Sequence, residues 1–248
     1  MKKGKDMWTK KEVCGLVDLT SLNAYDSVKS IDQFLDQALS YKTKGFQVAA
    51  ICLYPNFAAQ AVNTLQNTSI KTAVVAGNFP NSQGFLSTKL NECELALEAG
   101  VDEVDIVLNL GAFDDGDYDH VVNEVKAFKG LMPNKCLKVI LETGYLKTSD
   151  RIKLASELAI EGGADFIKTS TGKEFPGATF EAVDVMAKVI SKLSPSHTVG
   201  LKISGGVRTY DDALRYLEVV EKHLGGAFIT PELLRIGASS LVTNLMND

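Results

Sequence analysis

Lys168 and Lys202 stand in two segments of one design, Ala164-Asp165-Phe166-Ile167-Lys168-Thr169-Ser170-Thr171-Gly172-Lys173 and Val199-Gly200-Leu201-Lys202-Ile203-Ser204-Gly205-Gly206-Val207-Arg208. Each is an apolar, strand-like run with a lysine where valine or isoleucine is usual, a serine two residues on and a glycine four residues on. An ammonium buried in such a run loses hydration, and burial therefore favours the free amine. A free amine is a nucleophile for carbonyl carbon. Lys173 and Arg208 come after glycines whose loops can expose backbone N–H groups, as phosphate-binding turns do. The pairing points to carbonyl chemistry on a phosphorylated small molecule.

Side chains alternate across a strand, so Phe166, Lys168 and Ser170 share one face, and Gly200, Lys202 and Ser204 share one face of the later segment. Neighbouring strands lie about 4.8 Å apart. At that spacing one ammonium disfavours protonation of the other, which leaves one lysine as a free amine beside a cation. A lone lysine in a strand reads first as an exposed strand end; two in matched contexts on consecutive strands reverse that and favour the inward placement.

Carboxylates occur in similar settings. In Asp102-Glu103-Val104-Asp105-Ile106-Val107-Leu108 the second aspartate has apolar neighbours, whereas Asp102 and Glu103 are expected to mark an exposed strand start. An inward Asp105 either passes protons with a lysine or serves as a purely structural ion pair. Asp18 and Thr20 share parity in Leu16-Val17-Asp18-Leu19-Thr20, and suit hydrogen bonding to a polyhydroxylated substrate or capping of the next turn. Cys52 lies in Ala49-Ala50-Ile51-Cys52-Leu53 with no histidine partner in sight, and reads as a packing thiol rather than a nucleophile. Gly205-Gly206-Val207-Arg208 and Gly237-Ala238-Ser239-Ser240 offer N–H groups, hydroxyls and a guanidinium. With Gly172-Lys173 they make an anion site.

These residues need a scaffold. Strand-like segments recur at Leu16–Thr20, Gln47–Leu53, Thr72–Gly77, Glu103–Leu108, Leu137–Thr143, Phe166–Ser170, Val199–Ser204 and Leu234–Ala238. Between them, Ile31–Lys44, Phe57–Gln66, Thr88–Ala99, Tyr118–Lys129, Asp150–Glu161, Phe180–Lys192 and Asp211–Leu224 carry apolar residues at three- and four-residue intervals. Strands alternating with helices imply parallel pairing, and eight units match a closed (β/α)₈ TIM barrel, with an open doubly wound sheet as the alternative. Loops after the seventh and eighth strands of such barrels often hold phosphate. No linker divides the chain, and residues 1–248 read as one domain. Residues 1–15, with Trp8 and Val13, are expected to form a short helix covering the barrel's base, and the tail after Ser240 to complete the last helix.

Composition removes other classes. A formal net charge of −5 argues against general nucleic-acid binding. No apolar run approaches the roughly 20 residues that span a bilayer, and the basic N-terminus lacks the apolar core of a signal peptide. A cytoplasmic protein without membrane or nucleic-acid partners is the expectation. Cys14, Cys52, Cys93 and Cys136 are scattered and read as free thiols, and His120, His197 and His223 fall in no ligand pattern, so no metal and no cofactor is expected.

Taken together, Leu16-Val17-Asp18-Leu19-Thr20, Ala49-Ala50-Ile51-Cys52-Leu53-Tyr54-Pro55, Asn78-Phe79-Pro80, Asp102-Glu103-Val104-Asp105, Phe166-Ile167-Lys168-Thr169-Ser170-Thr171-Gly172-Lys173, Gly205-Gly206-Val207-Arg208 and Gly237-Ala238-Ser239-Ser240 resemble the deoxyribose-phosphate aldolases through nearly the whole chain. These are class I aldolases with a (β/α)₈ fold. The resemblance implies reversible cleavage of 2-deoxy-D-ribose 5-phosphate to D-glyceraldehyde 3-phosphate and acetaldehyde, without a metal. It makes Lys168 the Schiff-base lysine, Lys202 and Asp105 its proton-relay pair, and Asp18, Thr20 and Cys52 residues near the substrate. Thr171, Gly172, Lys173, Gly205, Gly206, Arg208, Gly237, Ser239 and Ser240 fall in or beside the phosphate-binding segments. A homodimer or larger homo-oligomer is implied as well. Two departures stand out: Ile203-Ser204 replaces a Pro-Ala dipeptide of close relatives, and the chain closes at Asn247-Asp248 without the terminal tyrosine of some members. Another imine-forming aldolase for a different phosphorylated sugar, and a non-catalytic sugar-phosphate sensor, are the rival readings.

Overall fold

Eight strands, β1 (Val17–Thr20), β2 (Ala50–Leu53), β3 (Lys71–Val75), β4 (Glu103–Val107), β5 (Cys136–Ile140), β6 (Phe166–Lys168), β7 (Gly200–Ser204) and β8 (Leu234–Ala238), pair in parallel in chain order. β8 returns to β1, with Val17 opposite Ile236, and the ring closes as a (β/α)₈ barrel. The computed structural model describes residues 8–193 and 199–247. The open-sheet alternative is thereby excluded.

The helices are α1 (Lys10–Cys14), α2 (Val28–Thr43), α3 (Ala58–Leu65), α4 (Leu86–Glu98), α5 (Leu110–Asp114), α6 (Tyr118–Leu131), α7 (Thr143–Leu146), α8 (Ser149–Glu161), α9 (Phe180–Leu193), α10 (Tyr210–Leu224) and α11 (Leu241–Asn247). The seven periodic segments all form helices, and α11 completes the last unit. α5 and α7 were not anticipated: they are single turns in the loops after β4 and β5, too short to show a helical repeat. α10 illustrates the common logic. Thr209 caps it in a reciprocal box with Asp212, and Ala213, Tyr216, Leu217 and Val220 bury one stripe against the barrel.

Outward strand residues such as Leu19, Ile51, Val74, Val104, Val139, Ile167, Leu201 and Ile236 meet those stripes in one continuous apolar layer. Each fully buried aliphatic side chain contributes roughly 1.5–3 kcal/mol. This outer layer holds the barrel together and leaves the inward positions free for other groups.

Two glycines make room inside. A Cβ at Gly200 would run into the ring of Phe166 on the neighbouring strand, and one at Gly237 would sit 3.3 Å from Lys202 Cε and 2.9 Å from Ser204 Cβ. β6 stops at Lys168, two residues before the predicted Ser170. The chain beyond it stays attached on both sides: Thr169 N donates to Lys202 O, and Thr143 N donates to Thr169 O.

α1 packs against α10 and α11. Lys11 lies over the Phe46 ring at the base, and the Tyr210 hydroxyl at the start of α10 donates to the Trp8 carbonyl. The helix thus packs beside the helices of the last two units, with Lys11 reaching the base; the part of its predicted span at residues 1–7 lies outside the described residues. His197 lies outside them too.

Candidate active site

Lys168 and Lys202 are register partners on β6 and β7, so both amines project into the barrel side by side, as the alternation predicted. Asp105 reaches them from the middle of β4. Its Oδ2 accepts from Lys168 Nζ and Lys202 Nζ, each at 2.8 Å, and its Oδ1 accepts from Lys138 Nζ at 3.1 Å. Asp18, on β1, places Oδ2 2.5 Å from Lys202 Nζ, while its Oδ1 accepts from Arg235 at 2.7 Å.

The cluster continues into a layer that sequence reading missed. Glu103 shares parity with Asp105, so it turns inward and is 4% exposed, contrary to the expectation of an exposed strand start. Its two oxygens take the Arg235 guanidinium as a fork, at 2.7 and 3.1 Å, and Oε2 accepts from Lys138 at 2.5 Å. Asp102 does sit at the rim, half-exposed, where it accepts from Thr72 N. Lys138 in Leu137-Lys138-Val139 and Arg235 in Leu234-Arg235-Ile236 carry the same signal that singled out Lys168, a cation inside an apolar strand.

The electrostatics separate the two central lysines. Burial lowers the proton affinity of Lys168, the Lys202 ammonium lowers it further, and Asp105 only partly offsets them, so its pKa falls below the ordinary lysine value. Burial also acts against the Lys202 charge, but Asp105 and Asp18 together override it and raise its pKa. For Asp105, burial opposes ionisation and is overcome by Lys138, Lys168 and Lys202, which hold the carboxyl well below its usual range. Asp18 is likewise lowered, against burial, by Lys202, Arg235 and Lys138.

Lys168 is the member of this cluster that opens outward. It lines a cavity of about 300 Å³ at the C-terminal mouth, whereas Lys202, Asp105 and Asp18 are sealed behind it. Of the predicted site residues, Thr20, Thr171, Gly172, Lys173, Gly205, Gly206, Arg208, Gly237, Ser239 and Ser240 line that cavity with it. Asp18 and Cys52 do not. Asp18 serves the ion cluster, and Cys52 packs in an apolar patch with Leu22, Ala50, Ala73 and Val75, where burial raises its thiol pKa. A larger groove of about 540 Å³ crosses the outer face of α8 and α9 and contains none of the buried lysines. Size alone therefore does not locate the chemistry.

Local structure fixes the loops around the cavity. Gly205 adopts φ +86°, and Gly177 comes so close that a Cβ on Gly205 would lie 2.7 Å from its Cα. Ala178 N donates to both Ser204 O and Gly205 O, tying the loop after β6 to the loop after β7. Ser204 explains one departure noted above: its Oγ donates to Ser170 O at 2.6 Å and accepts from Ser170 N at 3.3 Å, bonds that alanine cannot make. Glu142, another residue that sequence reading overlooked, has a left-handed backbone and accepts from the Thr171 hydroxyl and amide. Lys173 Nζ donates to the Leu22 carbonyl across the mouth.

Among the described residues, no helix is long and apolar enough to cross a membrane, and no group of three or more His, Cys, Asp or Glu side chains is placed to hold a metal ion. The four cysteines are free.

Residues 14–242 match the family described as DeoC/LacD family aldolase. The chain is 36% identical to the deoxyribose-phosphate aldolase of Homo sapiens over 253 residues, covering 96% of this chain and 79% of that one. The Mus musculus enzyme of the same name is 37% identical over 253 residues with the same coverage. The tetrameric deoxyribose phosphate aldolase of Aeropyrum pernix has a TM-score of 0.77 and 26% identity, covering 96% of this chain and 92% of that one. With the family match running through nearly all of its length, the chain belongs to the DeoC/LacD aldolase family.

Proposed function

We propose that this aldolase cleaves 2-deoxy-D-ribose 5-phosphate reversibly to D-glyceraldehyde 3-phosphate and acetaldehyde, through a Schiff base on Lys168. The observation that carries the reading is the placement of Lys168: a 3% exposed amine of lowered basicity, facing the mouth cavity, with a pinned ammonium and an ionised carboxylate directly behind it.

The neutral Lys168 amine attacks C1 of the open-chain sugar, and the carbonyl electron pair moves to oxygen, which takes up a proton. Loss of water leaves a protonated imine. That cationic nitrogen is the electron sink for the next step and removes the need for an unstabilised carbanion. As C2–C3 breaks, its electrons form the enamine between C1 and C2, and the C3 hydroxyl gives up its proton as the carbonyl of glyceraldehyde 3-phosphate forms. Protonation of C2 restores an imine, and water then releases acetaldehyde and regenerates the amine. A water ordered by Asp105 and Lys202 shuttles these protons. Lys202 keeps its own proton throughout and serves as the fixed charge that orients this water.

The phosphate is held at the same mouth by Lys173, Arg208, the backbone of Gly172, Gly205 and Gly206, and the hydroxyls of Ser239 and Ser240. Binding energy gathered there orients the reacting carbons without touching them. The reading implies a cytoplasmic, homo-oligomeric enzyme of deoxynucleoside breakdown.

Borohydride added with the sugar phosphate tests the chemistry, with the adduct located by peptide mass spectrometry. The expected result is one reduced adduct on Lys168, absent from Lys168→Ala, which loses turnover entirely. An adduct mainly on Lys202 overturns the assignment of roles. Turnover with no adduct on any lysine overturns the Schiff base.

A further inference from the structure

Three buried ionic side chains take no part in the steps above. Glu103, Lys138 and Arg235 are buried inside the barrel, and each touches Asp18 or Asp105 or joins a residue that does. The bonded cluster as a whole consists of Asp18, Glu103 and Asp105 facing Lys138, Lys168, Lys202 and Arg235. Three carboxylates thus meet four basic groups, and the cluster is neutral only when one base has no proton.

The contacts decide which base that is. Arg235 keeps its charge at any ordinary pH and holds Glu103 by two bonds and Asp18 by a third. Lys138 reaches both Glu103 and Asp105, and Lys202 reaches both Asp105 and Asp18. Lys168 has one carboxylate oxygen, already shared with Lys202. We propose that Glu103, Lys138 and Arg235 form a positioning tier that sets how many protons the cluster holds, so that Lys168 is the member left unprotonated.

The tier acts at a distance through Asp105 and Asp18. Lys138 draws on Asp105 Oδ1 and leaves Oδ2 to Lys202 and Lys168, and Glu103 limits how much positive charge reaches them. The groups facing Lys168 come from four parts of the fold. From β2 comes Cys52, a buried thiol; from β7, Lys202; from β4, Asp105; and from the loop after β5, Glu142, whose carboxylate is engaged by Thr171, feels the Lys168 charge and makes no ion pair with any of the seven. Around Lys138 itself stand Asp18, Glu103, Asp105, Cys136, Lys202 and the face of Phe166.

This inference deepens the Schiff-base reading and predicts shifts of opposite sign from two substitutions in the same bonded cluster. Lys138→Met removes a cation, which allows Lys168 to keep its proton. Glu103→Gln removes an anion at nearly constant shape, which drives the proton off. The probe is reductive methylation with formaldehyde and cyanoborohydride, followed at Lys168 by peptide mass spectrometry across pH. The midpoint for Lys168 should rise by about one pH unit in Lys138→Met, a tenfold loss of free amine near neutrality, and fall by a similar amount in Glu103→Gln. The rising limb of kcat/KM should move with it, while Lys138→Arg keeps the wild-type midpoint. Midpoints that stay put, or that move the same way in both variants, overturn the proposal, as does a loss of rate that is uniform across pH. Should Lys138→Met not fold, the shape-preserving Glu103→Gln decides alone. Because methylation needs no sugar, wild-type protein that methylates at Lys168 yet gives no borohydride adduct with the sugar phosphate refutes the Schiff base while the tier is still judged by its midpoints.

Discussion

The inside of the barrel has two sides built on the same alternation but with different chemistry. From β4 round to β1 the inward positions carry Glu103, Asp105, Lys138, Lys168, Lys202, Arg235 and Asp18, whereas β2 and β3 present Ala50, Cys52, Ala73 and Val75. The apolar side brings neither charge nor much volume. It leaves space beside the amines and excludes water, which makes burial the largest influence on Lys168. Among ions confined against such a wall, the one with the poorest set of partners gives way. Reactivity here comes from the contrast between the two sides, and neither alone produces it.

Removing charge from the ionic side should have the largest effect after loss of Lys168 itself. Lys202→Met deletes the ammonium that disfavours protonation of Lys168 and the anchor of the proposed shuttle water. We expect kcat/KM to fall by about 10²–10⁴, with the borohydride adduct still on Lys168 and its yield recovering as pH rises. A yield that stays low at every pH would instead place Lys202 in the covalent step.

The same asymmetry shows how far the sequence could be read. The eight strands and the inward pairing of Lys168 with Lys202 follow from alternation, because a one-residue slip would turn the outer apolar layer into the barrel and the charged residues out against the helices, and the seven helices follow from apolar residues at three- and four-residue intervals. The mouth residues of the loops after β6, β7 and β8 followed from glycines and cations set beyond strand ends. Glu103 is hard to read for a specific reason: it adjoins the half-exposed Asp102 in sequence, while its parity with Asp105 turns it inward. Lys138 and Arg235 satisfied the rule applied to Lys168 but had no matched partner segment to draw attention to them. Glu142 gave no local signal, since its role comes from a left-handed turn meeting Thr171 across the loops. Closure, and with it the meeting of β1, β4 and β8 side chains, is a tertiary fact that periodicity does not encode.

A second test concerns stability. Burial and Lys202 lower the folded-state pKa of Lys168, so between that value and the unfolded lysine value of about 10.4 the unfolded chain binds more protons. Lys168 therefore costs stability at low and neutral pH, and the cost shrinks as pH rises through that window. Lys168→Met keeps the volume and leaves Asp105 with Lys202 and Lys138. The variant should be more stable than wild type by about 0.5–2 kcal/mol at neutral pH. Paired denaturant titrations should show the advantage declining toward pH 10, and an advantage that grows with pH would contradict the assignment of Lys168 as the destabilised base.

The smallest effect should come from the apolar side. Cys52 is fully buried among Leu22, Ala50, Ala73 and Val75, its thiol pKa is raised by burial, and it does not line the mouth cavity. Cys52→Ala removes one sulfur and no charge. It should cost about 1 kcal/mol in stability through the space it leaves, with the Lys168 methylation midpoint unmoved and kcat/KM within about threefold of wild type, roughly 0.7 kcal/mol in the barrier. Cys52→Asp in the same position adds a fourth carboxylate to match the four bases, and should raise the Lys168 midpoint as Lys138→Met does. If the alanine variant moved the midpoint as far as the aspartate variant, the wall would be contributing more than exclusion of water, and the division between the two sides of the barrel would not hold.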